Sequence, residues 1–216
     1  KIRFESIYDL ARHKQDLPPQ HLIVVTDEEY QFAVNNPKFS NLQILRAVPY
    51  NDTRNAFYIL RLEYSPQIDE LLTAEFMERS QLQTAQIMID GQPVTVNYTR
   101  CGGCPVEQAF DGLDTLYITD EVNPAVLELL YPEPRLFGGI FIIHGSSPIR
   151  LTATFYDRSG AQVAAYAVEF YENGTNGNRL TLDSPILAQQ VTLSIQDLSQ
   201  YENGIVHIWD IQFTEE

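Results

Sequence analysis

A chain of 216 residues with 44% apolar and 20% charged side chains can bury one large core or two small ones, and it lacks the composition of a disordered tail. Its formal charge of −15 is uneven: 9 basic against 12 acidic side chains over residues 1–82 (−3), and 5 against 17 over 83–216 (−12), with no lysine in the second stretch. Such a surface repels phosphate backbones and anionic headgroups, which argues against nucleic acid as a partner, and the longest apolar run, 136–143, is far short of the roughly 20 residues of a membrane helix.

In chain order, "FESIYDLARHKQDL" sets Phe4, Ile7, Tyr8 and Leu10 at helical spacing, and the prolines at 18 and 19 stop the helix. "HLIVVT" reads as a short buried strand. Thr26 or Asp27 caps a second helix whose first turn is acidic and which ends before Pro37. "LQILRAVPY" and "AFYILRLEY" read as two more strands joined by the polar turn "NDTRN". All eleven glycines lie at 91 or later, so this first part has no glycine-rich turn to cradle a nucleotide phosphate. Residues 1–64 are expected to form a small α/β domain. Ser65 and Pro66 then open a linking helix over 65–82, with Ile68, Leu71, Leu72 and Phe76 as its apolar stripe.

From residue 83 the texture changes to short β-runs. "AQIMIDGQPVTVNY" reads as a hairpin over Asp90-Gly91-Gln92. "AVLELLY", "FGGIFIIHG", "RLTATFYD", "AQVAAYAVEFYE", "RLTLD", "QQVTLSIQD" and "GIVHIWDIQF" follow. In "VTLSIQD" the alternation sends Val191, Leu193 and Ile195 to one face. In "GIVHIWDIQF" the alternating set is Ile205, His207, Trp209, Ile211 and Phe213, with His207 expected as a partly buried strand residue and the single tryptophan, Trp209, in the core. About eight strands with no helix between them predict an all-β jelly-roll sandwich over 83–216, and an α+β chain in two parts overall.

The loop "EQAFDGLDT" places Glu107, Asp111, Asp114 and Thr115 around a glycine. Closely spaced hard oxygens in a tight turn suit either Asx hydrogen bonding or a structural cation, and two carboxylates also leave a glycoside hydrolase open. Cys101 and Cys104, in "RCGGC", cannot complete a four-ligand zinc site within one chain; they can close a small disulfide in an oxidising compartment, with idle thiols or a metal shared between two chains as the alternatives. Four scattered histidines and no paired serine or cysteine indicate no activated nucleophile. Among the 12 tyrosines, Tyr98, Tyr117, Tyr131 and Tyr201 fall near strand ends, where a ring can stack on a sugar face. With Arg100 and Asn123, Tyr98 and Tyr117 make up the candidate ligand-binding set. Asn51, Asn97 and Asn173 open N-x-T sequons.

Four stretches, "AFDGLDT", "NPAVLELLYPEPRLFGGIFIIHG", "RLTATFYDRSG" and the closing "VHIWDIQF", resemble the galactose-binding-like, discoidin-type sandwich of coagulation-factor type C domains and carbohydrate-binding modules. The resemblance covers about residues 83–216. It implies carbohydrate binding and a structural calcium on Asp111, Asp114, Thr115 and Asp210, although the loop is one residue short and Tyr117 stands where tryptophan is usual. Residues 1–64, through the stretch 21–64, resemble the extracytoplasmic tail of membrane-embedded polyprenyl-phosphate-sugar glycosyltransferases. Together the two resemblances imply a non-catalytic extracytoplasmic region of a longer, membrane-anchored protein. It would bind carbohydrate or a glycosylated acceptor for an upstream domain of the same chain. A structural or protein-interaction module without sugar binding is the alternative, and a hydrolase using Glu107 or Asp111 a further one.

Overall fold

The computed structural model describes residues 2–3, 6–18, 20–50, 55–113, 115–145, 148–172, 176–199 and 204–215. The chain divides into two compact units, Lys1–Met77 and Glu78–Glu216.

The first unit is a four-stranded sheet with short helices. Its elements are β1 (Ile2–Arg3), α1 (Ile7–Arg12), β2 (Leu22–Thr26), α2 (Asp27–Asn35), β3 (Phe39–Pro49), β4 (Asn55–Tyr64) and all but the last two residues of α3 (Ile68–Arg79). Ser6 caps α1 by accepting the Tyr8 N–H at 3.2 Å, and Ile7, Leu10 and Ala11 are buried beneath it. Thr26 caps α2 reciprocally: its Oγ1 accepts the Glu29 N–H while Glu29 Oε2 accepts the Thr26 N–H at 2.9 Å. The sheet order is β1-β2-β4-β3. The parallel pairing of β1 with β2 was not expected, because two residues carry no periodicity.

α3 differs from expectation. Of its apolar stripe only Ile68 is buried, and Phe76 and Met77 are 43% and 62% exposed. Ion pairs tie it to the first unit instead, from Lys14 Nζ to Asp69 at 2.8 Å and from Lys38 Nζ to Glu75 at 2.5 Å. Lys38 Nζ also donates to the Ala11 carbonyl at 2.6 Å, so this buried amine has two partners.

The second unit is a β-sandwich with jelly-roll character. It comprises β5 (Leu82–Ile89), β6 (Gln92–Thr99), a 3-10 turn (Val106–Ala109), β7 (Tyr117–Ile118), β8 (Ala125–His144), β9 (Ile149–Tyr156), β10 (Gln162–Phe170), β11 (Asn178–Asp197) and β12 (His207–Thr214). One sheet runs β5, β6, the first half of β8, the second half of β11, β9, β10. The other runs β7, β12, the second half of β8, the first half of β11. Thus β8 and β11 each serve both sheets. Four of the runs read separately from sequence are the halves of these two strands. The ladder between them jumps from Gln190↔Leu130 to Ala188↔Arg135, stepping over Pro132 and Pro134, and Pro185 falls in the second break. Proline is tolerated there because no ladder N–H is required.

Between the sheets lies one apolar core. Val191, Leu193 and Ile195 of β11 are wholly buried in it, each stabilising the fold by about 1.5–3 kcal/mol. Rings of Tyr131, Phe137 and Phe213 pack edge to face, Phe137 and Phe213 at 5.4 Å and 79°. β12 corrects the alternation read from sequence. A register shift between Ile208 and Asp210 puts Ile208, Ile211 and Phe213 in the core and leaves His207 and Trp209 half-buried. Trp209 instead rests on Gly145, where a Cβ would approach its Cη2 to 2.9 Å. No helix among the described residues is long and apolar enough to cross a membrane.

Candidate functional site

The strand registers bring the end of β6, the start of β8, the start of β9 and the end of β11 to one end of the sandwich, with β7 beside them. Hydrogen bonds weld the turns there. The Tyr117 hydroxyl donates to the Thr99 carbonyl, and the Val126 N–H donates to Thr99 Oγ1 at 2.8 Å. Gly102 N–H reaches the Ile118 carbonyl and Asp120 N–H the Arg100 carbonyl, each at 3.1 Å, while Cys101 bridges Thr119. Thr119 and Val206 bond twice, through Thr119 N–H to the Val206 carbonyl and Val206 N–H to Thr119 Oγ1. Cys101 and Cys104 are joined in a disulfide, with Cα atoms 5.6 Å apart. Loops so tied can hold side chains at fixed positions.

Arg100 is the one member of the candidate ligand set that this frame displays. Its guanidinium faces Asp120 at 3.8 Å, with the two side chains 51% and 29% exposed. Tyr98 is half-buried and packs on the core. Tyr117 and Tyr131 correct the expectation of stacking platforms. Both are fully buried, and burial pushes both hydroxyls well above the ordinary phenol range. Asn123 turns its amide inward: Nδ2 donates to the Asp197 carbonyl at 2.8 Å, and Oδ1 accepts the Asp197 N–H at 3.0 Å. Tyr201, Asn51 and Asn173 lie outside the described residues. Asn97 is engaged in the sheet, donating to Glu128 Oε2 at 3.0 Å.

Two acids at this end escaped the sequence reading. Asp120 carries no pattern of its own. Asp197 did leave a signal, because it continues the inward set Val191, Leu193, Ile195 and is only 3% exposed. Its Oδ1 accepts the Ser199 N–H at 2.6 Å.

The loop after the 3-10 turn is closed by its own donors. Asp111 Oδ1 accepts the Leu113 N–H at 2.8 Å and Oδ2 the Thr115 hydroxyl at 2.5 Å. Asp210, buried on β12, accepts the Gly112 N–H at 3.2 Å on Oδ1 and the Gln212 amide at 2.6 Å on Oδ2. Asp114 lies outside the described residues. Each oxygen of Asp111 and Asp210 has a protein donor, an arrangement that fits a hydrogen-bonded turn. No group of three or more His, Cys, Asp or Glu that could hold a metal exists among the described residues. Glu107 is exposed on the 3-10 turn. The opposite end of the sandwich carries a shallow groove lined by Pro134, Asp157, Arg158, Ser159 and Leu187. Asp157 Oδ1 accepts there from the Ser159 hydroxyl and from the Ser159 and Ala161 N–H groups, which hold its carboxyl below the usual range.

No family model and no curated protein matches the chain. Among solved structures it is similar to the family 32 carbohydrate-binding module of C. perfringens NanJ in complex with galactose: 19% identity, 56% of this chain and 92% of that one, TM-score 0.47. A pectin-binding carbohydrate-binding module is 13% identical over 61% of this chain and 92% of its own, with TM-score 0.47. The family 32 module of AlyQ in complex with 4,5-unsaturated mannuronic acid is 12% identical over 61% and 99%, again at 0.47. The fold assignment above rests on strand order and register.

Proposed function

We propose that the second unit is a non-catalytic carbohydrate-binding module whose ligand sits at the welded end of the sandwich, against Arg100 and Asp120. One observation carries this reading: turns from four strands converge there on a hydrogen-bonded and disulfide-tied frame, and the frame displays a loosely paired guanidinium and carboxylate. Vicinal sugar hydroxyls are met by planar charged groups of this kind, the guanidinium donating and the carboxylate accepting. A pair 3.8 Å apart and half in solvent holds itself weakly, so both partners can be recruited by a ligand.

Calorimetric titration of the whole chain with a panel of neutral and acidic monosaccharides tests the proposal. Binding by at least one sugar is expected, weakened about tenfold or more in Arg100→Ala, the usual scale for a hydrogen bond to a charged group. Silence across the panel would leave the sandwich as a protein-contact module.

The disulfide supports an oxidising, extracytoplasmic location. In the wider form of the proposal, this region presents a glycosylated acceptor to an upstream membrane-embedded glycosyltransferase domain. Its support is the sequence resemblance of residues 21–64. Tethering would raise the acceptor's local concentration with no chemistry of the module's own. An upstream reading frame without apolar spans would remove the wider form and leave sugar binding standing.

A further inference from the structure

β10 is the outer strand of its sheet, and among the described residues it pairs with β9 alone. Such an edge offers unpaired N–H and C=O groups to any strand that can reach it, and proteins guard edges with charge, proline, bulges or brevity. The other edges carry such guards. β1 and β7 are two residues long; β3 has Arg46, Pro49 and three register shifts; the first half of β11 has Arg179, Asp183 and then Pro185. β5 is uncharged, but its inward side chains Ile87 and Ile89 are buried, so the core is closed beneath it. "QVAAYAVEF" has neither protection. Its one register shift lies at its start, and the ladder then runs unbroken from Ala164 to Phe170. It holds no lysine, arginine or proline, and its single acid is already engaged: Glu169 accepts from Arg150 Nε at 2.9 Å and from the Tyr171 hydroxyl.

The core is open on this side. The inward set of β9, from Ile149 to Phe155, is wholly buried, whereas Ala164, Tyr166, Val168 and Phe170 of β10 pack on the same core and stay half-buried. One more strand alongside would take that apolar surface out of water. The edge's own chemistry selects the strand. With Glu169 engaged, no charge on β10 is left to hold a basic partner, and the surrounding stretch of net charge −12 repels an acidic one. The strand that fits is neutral and apolar at every second position, and β10 itself is such a strand. In an antiparallel pairing centred on Tyr166, inward residues meet inward ones, with Tyr166 opposite its copy and Ala164 opposite Val168. Outward residues meet outward ones, with Ala165 opposite Ala167 and Val163 opposite Glu169, so no acid faces an acid.

We propose that β10 is a dimerisation edge: a second copy of this chain adds its own β10 antiparallel about a twofold axis at Tyr166, and one sheet continues through both copies. Twofold pairing occupies the edge of each copy, so the assembly closes at two. This inference does not depend on sugar binding.

Sedimentation velocity of the whole chain over a concentration series tests the proposal. With rising concentration the wild type should pass from the 24.7 kDa chain to a species of twice that mass and no larger. Ala165 and Ala167 are exposed, so the folded monomer tolerates charge there. A165K/A167K sets lysine against lysine twice across the axis and should abolish the dimer, whereas A165E/A167K sets glutamate against lysine twice and should keep it. Trp209 fluorescence checks that both variants are folded. Amide exchange over residues 164–169 of the wild type, which needs no variant, should slow several-fold between dilute and concentrated samples. A wild type monomeric at every concentration, or growth beyond two copies, would overturn the proposal. So would a dimer that survives A165K/A167K, one lost in both variants, or exchange over 164–169 that ignores concentration.

Discussion

Asn123 makes the two hydrogen bonds that join the turn before β8 to the end of β11. Truncation to alanine leaves a buried N–H and carbonyl of Asp197 without partners, which costs about 2 kcal/mol and lowers the transition of the second unit by roughly 6 °C. The one tryptophan, Trp209, lies in that unit, so its fluorescence isolates the relevant transition. An unchanged transition in Asn123→Ala would show that the clamp is dispensable. The buried phenols make a second prediction. Tyr117 and Tyr131 have raised pKa values because burial disfavours the phenolate. Unfolded tyrosines ionise near 10, so the stability these two provide is fully present below about pH 10 and is lost as the pH climbs beyond it. In an absorbance titration, at least two tyrosines should ionise only together with loss of the folded signal. Ionisation of all of them in a still-folded protein would contradict their placement. Sequence could name these residues but could not tell a displayed ring from a buried one, since Tyr98, Tyr117 and Tyr131 all stand near strand ends. Arg100 was legible because charge seeks solvent. Asp197 was legible in principle, through the alternation that runs into it from Val191.

β8 and β11 hold the sandwich together, because each crosses from one sheet to the other and pairs with its fellow in both. Alternation made their halves visible: the buried faces of "AVLELLY" and "VTLSIQD" follow the two-residue period. Continuity was hidden because proline marks a strand end in an ordinary reading, and whether it marks a corner instead depends on a second sheet that lies far away in sequence. The bulge in β12 was hidden for the same reason. It inverts the face of His207 and Trp209 without altering composition. Glycines separate local from tertiary demands. Gly91 has φ +75 in the two-residue turn between Ile89 and Gln92 and nothing around its missing Cβ, so Gly91→Ala should cost about 1 kcal/mol of backbone strain. Gly177 has φ +78, and a Cβ there would overlap the Phe141 ring. Gly177→Ala should therefore be the more damaging of the two, by at least about 1 kcal/mol in denaturant unfolding. Equal costs would show that Phe141 moves aside freely.

At the scale of the whole molecule, the change of texture near residue 83 was plain in the sequence. The boundary itself falls between Met77 and Glu78. Helical periodicity locates α3, but the ion pairs from Lys14 and Lys38 that attach it to the first unit are contacts no local pattern records. The charge asymmetry is a property of the second unit, whose surface suits neutral and cationic partners and disfavours anionic ones. The central claim is that the second unit holds sugars at its welded end. Backbone amide NMR of the whole labelled chain, titrated with galactose, glucose, mannose, N-acetylglucosamine and galacturonate, tests it most directly. Shifts that saturate at residues 98–104, 118–123 and 197–199 are expected, with a quiet groove at Pro134, Asp157–Ser159 and Leu187. Shifts confined to that groove, or none with any sugar, would contradict the central claim.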